Sequence, residues 1–334
     1  MADALLSPPV GGVMTAVSAA ALGYAVKQIA GDRLDEKKIP MMGVMGALVF
    51  AGQMINFTIP ATGSSGHIGG GILLAALLGP FPALLTLAAV LLIQCLFFAD
   101  GGLLAWGCNV FNMGAVSCLF AYPLVFKPLI RNRTDKKRIA AASVAAVVAG
   151  LQIGAFCVVL ETLLSGITEL PFGAFLLLMQ PIHLAIGVVE GIVTAGVLCY
   201  VHSLRPEIIE SAAESAPIPV SVSLRKVLLP LGVLAVITGG LLSLFASAYP
   251  DGLEWSMEGV AGTAELEREG PVYEAAGAVV ESTAFMPDYG FAGDEEGSPL
   301  GTAVAGIAGS AITLLIAGGA GFAIHLARRK RAAP

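Results

Sequence analysis

Long apolar runs separated by short polar breaks dominate this chain. Nine can be marked: residues 9–29, 40–58, 68–79, 82–98, 103–127, 139–163, 173–203, 227–249 and 299–327. A membrane helix needs ~20 mostly apolar residues. The pattern therefore predicts an all-α polytopic membrane protein with about nine transmembrane helices. Seven of them would form one bundle and two a C-terminal unit. The third run is short and glycine-rich. It reads equally as a helix packed inside the bundle and as a broken, re-entrant segment.

The breaks between runs carry an orientation signal. An outside N-terminus places Lys27, Arg33, Lys37 and Lys38 in one cytoplasmic segment. Lys127, Arg131, Arg133, Lys136, Lys137 and Arg138 fall in the next. Arg205, Arg225 and Lys226 follow, and then Arg328, Arg329, Lys330 and Arg331 in the tail. That is 17 of the 18 basic residues, with only Arg268 outside. The positive-inside rule then predicts an outside N-terminus and a cytoplasmic C-terminus. Residues 250–298 carry half of the 24 acids: Asp251, Glu254, Glu258, Glu265, Glu267, Glu269, Glu274, Glu281, Asp288, Asp294, Glu295 and Glu296. With few large apolar residues, this outer loop reads as a flexible, solvated spacer. Pro206, Pro217 and Pro219 mark a polar linker, dividing the chain into residues 1–204, 205–225 and 226–334.

Composition fits the membrane reading. Charged residues are 13% of the 334, about half the usual ~25% of soluble domains, and mean hydropathy is +0.84. These values exclude a soluble enzyme, a disordered chain and a nucleic-acid-binding protein as first readings. No basic residue precedes the first apolar run, so no cleavable signal is expected. Cys95, Cys108, Cys118, Cys157 and Cys199 lie in or beside apolar segments without a C-x-x-C pair, as small core residues do.

Candidate chemistry is sparse. No G-x-x-x-x-G-K-[ST], H-E-x-x-H or G-x-S-x-G is present, so the sequence predicts no ATPase or hydrolase activity in this chain. No inverted repeat is visible, which counts against a secondary-transporter architecture. Ionisable groups inside a membrane are costly and mark function. His67 sits in a loop of small residues, Thr62-Gly63-Ser64-Ser65-Gly66-His67-Ile68-Gly69-Gly70, where an imidazole with accessible backbone suits a transition metal; a structural histidine is the alternative. His183 and Glu190 lie seven residues apart on one face of the seventh run. They read as a structural network or an ion path, with Glu161 as a partner. His202 and His325 sit at cytoplasmic helix ends as interfacial residues. Asp100, Asn56, Asn109 and Asn112 add polar groups toward the outer end. Together these groups suggest an entrance for a small ligand or cation.

At these residues the chain resembles the cobalt and nickel substrate-binding subunits of energy-coupling factor transporters, the CbiM/NikM family. Leu5-Leu6-Ser7-Pro8 resembles the end of its opening M-H-x-x-D-G-[FY]-L-S-P, and Thr62 to Gly70 its T-x-x-x-H-x-x-G-G loop. Phe97-Phe98-Ala99-Asp100-Gly101-Gly102, Cys108-Asn109-Val110-Phe111-Asn112-Met113 and the block from His183 to Gly191 resemble further family blocks in the same order. Pro250-Asp251-Gly252-Leu253-Glu254 matches the PDGLE signature of the small two-span accessory subunit, which resembles a fusion.

The resemblance implies a binding and transport component of the prokaryotic cytoplasmic membrane that captures Ni²⁺ or Co²⁺ at its outer face and holds no permanent cofactor. It implies separate partners, a scaffold membrane subunit and two cytoplasmic ATPases. It implies a near-planar, nitrogen-rich site: the N-terminal amine, the backbone nitrogen and imidazole of a second-position histidine, and the loop histidine, here His67. Ser65, Asp100, Asn109 and Asn112 would support the site. One departure stands out. Aligning Asp3 with the signature's Asp puts Met1 at its third position, so the Met-His pair is missing and Met1 offers only an amine in shifted register. Either the chain starts two codons late, or this member binds metal differently or not at all; the intact loop histidine favours the first. A stand-alone secondary cation carrier using Glu161, His183 and Glu190 is the alternative function. The residues do not choose between nickel and cobalt.

Overall fold

The computed structural model describes residues 1–31, 35–131, 133–264, 266, 268–291 and 298–332. Arg33, Glu265, Glu267, Asp294, Glu295 and Glu296 of the charge pattern lie outside the described residues, as do the side chains of Arg328, Arg329, Lys330 and Arg331. A 3-10 turn, Asp3–Leu5, leads into α1 (Pro8–Gly31). Next come α2 (Lys38–Gln53) and an antiparallel hairpin, β1 (Phe57–Ile59) and β2 (Ser64–Gly66), pairing Phe57 with Gly66 and Ile59 with Ser64. The bundle continues through α3 (Gly71–Leu78), α4 (Pro80–Phe98), α5 (Trp106–Ile130), α6 (Lys136–Ser165) and α7 (Phe172–Leu204). A short α8 (Pro206–Glu214) precedes α9 (Arg225–Gly240), α10 (Gly252–Ala261), α11 (Pro271–Thr283) and α12 (Pro299–Ala332).

Among the described residues, six helices are long and apolar enough to cross a membrane: α1, α4, α5, α6, α7 and α12. The other three apolar runs form shorter helices. α2 and α9 have 16 residues each, and α3 has eight. At 1.5 Å per residue, α3 reaches about 12 Å, less than half of a ~30 Å hydrocarbon core. Every residue of α3 is buried, so this short run is enclosed by the bundle. The run read as 40–58 stops being helical at Gln53, because the chain turns back through the hairpin at 57–66.

α6 packs along α7, and α2 packs along both α9 and α12. Small residues let these backbones approach. A Cβ on Gly239 of α9 would lie 2.9 Å from the Gly306 carbonyl of α12. From Val110 to Phe126, α5 is wound as a π-helix, with the Lys127 amide bonded back to the Tyr122 carbonyl and Pro123 inside the winding. Such windings are rare and tend to mark functional sites; here it contains Asn112.

The outer loop is not the extended spacer its composition suggests. It folds into α10 and α11 and lies on the bundle. Asp251 caps α10, accepting from the Leu253 and Glu254 amides, while Glu254 reaches back to the Asp251 amide. Met257, with Val260 and Leu266 beside it, joins Leu5, Phe175 and Met179 in an apolar cluster. The loop's few apolar residues fall at helical spacing on one face, and overall composition hides that pattern.

Candidate functional site

Asp3 fixes the start of the chain. Its carboxylate accepts the Ala105 amide at 2.7 Å and packs on the turn at Gly102. Burial raises its carboxyl above the ordinary range, against the opposing pull of the Ala105, Leu104 and Leu103 amides. Thus anchored, Met1 reaches a cavity of about 150 Å³ that His67, Asn109, Asn112, His183, Glu190 and Asp251 also line. The Met1 carbonyl accepts from Asn109 Nδ2 at 3.1 Å.

The hairpin and the irregular stretch after it mount His67. Gly70, at φ 77°, turns the chain into α3. Its amide donates to Glu190 Oε1 at 2.9 Å, and Gln53 Nε2 donates to the Gly69 carbonyl at 3.2 Å. His67 Nδ1 lies 3.2 Å from the Ile68 carbonyl. Only a carbonyl stands there to accept, so Nδ1 carries the proton and Nε2 keeps its lone pair. The same logic applies to His183, whose Nδ1 donates to the Met179 carbonyl at 2.8 Å. Two imidazoles with free Nε2 atoms therefore share one cavity, a donor set suited to a first-row transition ion. Among the described residues, no three His, Cys, Asp or Glu side chains gather into a ready-made metal cluster. Met1 adds an amine.

The C-terminal unit supplies part of the wall. The Ser65 amide donates to the Pro250 carbonyl at 2.7 Å, and its hydroxyl to the Tyr249 carbonyl at 2.8 Å. Trp255 Nε1 donates to the Thr62 carbonyl at 3.0 Å, and the Ser247 amide to the Asn56 carbonyl at 2.7 Å. Asp251, Gly252 and Leu253 then line the cavity. Gly252 fits against His183: a Cβ there would lie 3.1 Å from the ring's Cε1.

The expected residues divide accordingly. Met1, His67, Asn109, Asn112, His183 and Glu190 share the cavity. Glu161 stands behind it, accepting from Asn112 Nδ2 at 2.8 Å, rather than pairing with His183 or Glu190. Ser65 ties the hairpin to Tyr249 and Pro250, while Asn56 accepts from Ser247. Asp100 is exposed, outside the cavity lining, and accepts the Tyr289 hydroxyl. Burial and then this carboxylate raise the Tyr289 hydroxyl well above its usual range. His202 Nε2 donates to the Thr134 carbonyl at 3.0 Å, and His325 Nε2 lies 3.3 Å from Glu36 Oε1, both away from the cavity. Sequence reasoning did not place the 251–253 corner at the site. Its motif was visible, but its contact partner lies 184 residues away.

Comparisons with known proteins align with this arrangement. Residues 1–208 match a family described as the cobalt uptake substrate-specific transmembrane region, and residues 225–326 match the PDGLE domain. A NikMN-type fused chain of Archaeoglobus fulgidus is 33% identical over 330 residues, 96% of each chain. The fused nickel transport protein NikMN of Rhodobacter capsulatus is 30% identical over 258 residues, covering 70% of this chain and 72% of its own. The crystal structure of a transition metal transporter superposes with a TM-score of 0.54 at 28% identity, covering 62% of this chain and 94% of that one.

Proposed function

Because the chain belongs to the cobalt-uptake substrate-specific transmembrane family, followed in the same chain by a PDGLE domain, we propose that it is the metal-capturing membrane component of a nickel or cobalt importer. In this reading residues 1–204 form the capture unit, 205–225 a cytoplasmic linker and 226–334 the accessory unit. The N-terminus faces out, the C-terminus faces the cytoplasm, and about nine segments cross or enter the cytoplasmic membrane. Met1 and His67 lining one cavity is the observation that carries the proposal. The amine and the imidazole Nε2 are neutral nitrogen donors, which favour late first-row divalent ions over Mg²⁺ or Ca²⁺. Metal binding there displaces protons, so affinity falls as pH drops. The chain carries no P-loop motif, so ATP-driven release inward is assigned to a scaffold membrane subunit and two cytoplasmic ATPases of the energy-coupling factor type.

Calorimetric titration of Ni²⁺ and Co²⁺ into the purified chain tests this. His67→Ala is expected to weaken binding by about tenfold or more. A Met-His pair added ahead of Met1 is expected to strengthen it. Unchanged affinity in His67→Ala would remove His67 from the site. Uptake that persists without any ATPase subunit would favour the stand-alone carrier instead.

A further inference from the structure

The cavity has an inner wall that the capture site does not use. Glu190 is 2% exposed, and Asn112 and Glu161 are 5% exposed each. Each has one polar atom engaged and one without a hydrogen-bond partner. Glu190 Oε1 accepts the Gly70 amide, but its Oε2 has no partner. Asn112 Nδ2 donates to Glu161 Oε2, leaving Asn112 Oδ1 and Glu161 Oε1 unpaired. The Cys108 thiol, a weak donor, also approaches Glu161. No Lys or Arg is among the described residues lining the cavity.

Two buried carboxylates without a cationic side chain are costly inside a membrane. Capping α3 accounts for only half of Glu190, since a neutral amide oxygen would accept the Gly70 amide as well. A cation in the cavity satisfies Glu190 Oε2 and Asn112 Oδ1, and its charge offsets that of Glu161 behind Asn112.

We propose that this inner wall is a second station for the transported divalent cation, with Glu190 and Asn112 offering direct oxygen contacts and Glu161 balancing charge through Asn112. The proposal rests on the metal-capture reading above and extends it one step inward. No closed metal cluster exists here among the described residues, so water completes the ion's shell. Oxygen donors match Ni²⁺ and Co²⁺ less well than nitrogen donors do. The inner station therefore binds more weakly than the outer one, as a transit point must if the ion is to leave it.

The test counts binding classes. Ni²⁺ is titrated into the full chain, its Met-His-extended form, His67→Ala, and the double variant Glu161→Gln with Glu190→Gln. Glutamine keeps both observed acceptor roles and removes only the charge, so the fold is expected to survive; an unchanged melting midpoint checks this. The extended chain is expected to show a tight and a weak class. His67→Ala should lose the tight class and keep the weak one. The double variant should keep the tight class and weaken the other at least about tenfold, the scale of losing a supporting ligand. A folded double variant that retains the weak class unchanged overturns the inner station, as does a tight class alone in the extended chain. A weak class without any tight class would instead sink the outer capture site and leave the inner station standing.

Discussion

Gly70 shows how one backbone position carries the site. Its φ of 77° is a conformation that side chains other than glycine rarely adopt, and a Cβ there would lie 2.6 Å from Val49 Cγ1. Gly70→Ala is expected to cost about 1–3 kcal/mol of stability. It should also weaken Ni²⁺ binding, because His67 is three residues away on the same clamped strip. Thermal unfolding beside a Ni²⁺ titration checks both effects. At this scale the sequence was partly readable. His67 stood out through its loop's resemblance to the family pattern, since a lone histidine is by itself more often structural. Asp100 looked similar, a carboxylate before paired glycines, yet it holds Tyr289 from the C-terminal unit. A local window shows the residue type but not which distant segment meets it. Ser65 was read as a supporting group near the site. Its contribution, fastening the hairpin to Tyr249 and Pro250, depends on a contact that no local pattern encodes.

Among the elements, the corner at Pro250–Glu254 has the clearest chemistry. Its motif is a capping box: Asp251 takes the first orphan amides of α10, and Glu254 returns the bond. Asp251→Ala is therefore expected to destabilise the corner by about 1 kcal/mol, and Asp251→Asn much less. Burial, followed by the nearby Asp251 carboxylate, raises the Glu254 carboxyl above its ordinary 4.5. The folded corner thus binds a proton more tightly than the unfolded chain does. Its stability is highest below 4.5 and declines as pH rises from there through the raised value. Amide exchange at Ser65 and Leu253, followed across that range, should show protection falling with pH; Glu254→Gln should flatten the trend. Long spans such as α4 and α7 were legible because length and apolarity alone define them. The hairpin was not, since Phe57-Thr58-Ile59 continues an apolar run and its strands are three residues each.

Taken as a whole, the molecule is less divided than its sequence. The proline-containing linker suggests two independent units, yet α2 of the first packs against both α9 and α12 of the second. Gly43 faces the Leu314 carbonyl, and Gly306 faces Gly239. The close approach means that Gly306→Ala should force α9 and α12 apart and cost about 1–3 kcal/mol. Because the contact is remote from His67, Ni²⁺ affinity should change little; a lowered melting midpoint with an intact titration curve is the expected pair of results. Composition could not foretell this packing, since glycine in an apolar run looks the same whether it meets lipid or another backbone.

The placement of α2 also bears on how the chain is made. A ribosome completes α2 about 250 residues before it begins α12. At ~5–20 residues per second, that delay is on the order of 10–50 s. Throughout it, the stretch of α2 around Gly43 that meets α12 lacks that partner and must rest against lipid or an insertion factor. The bundle that holds His67 is therefore finished last by the end of the chain, and a translation halted after α7 would release a molecule whose second helix still waits for its neighbour.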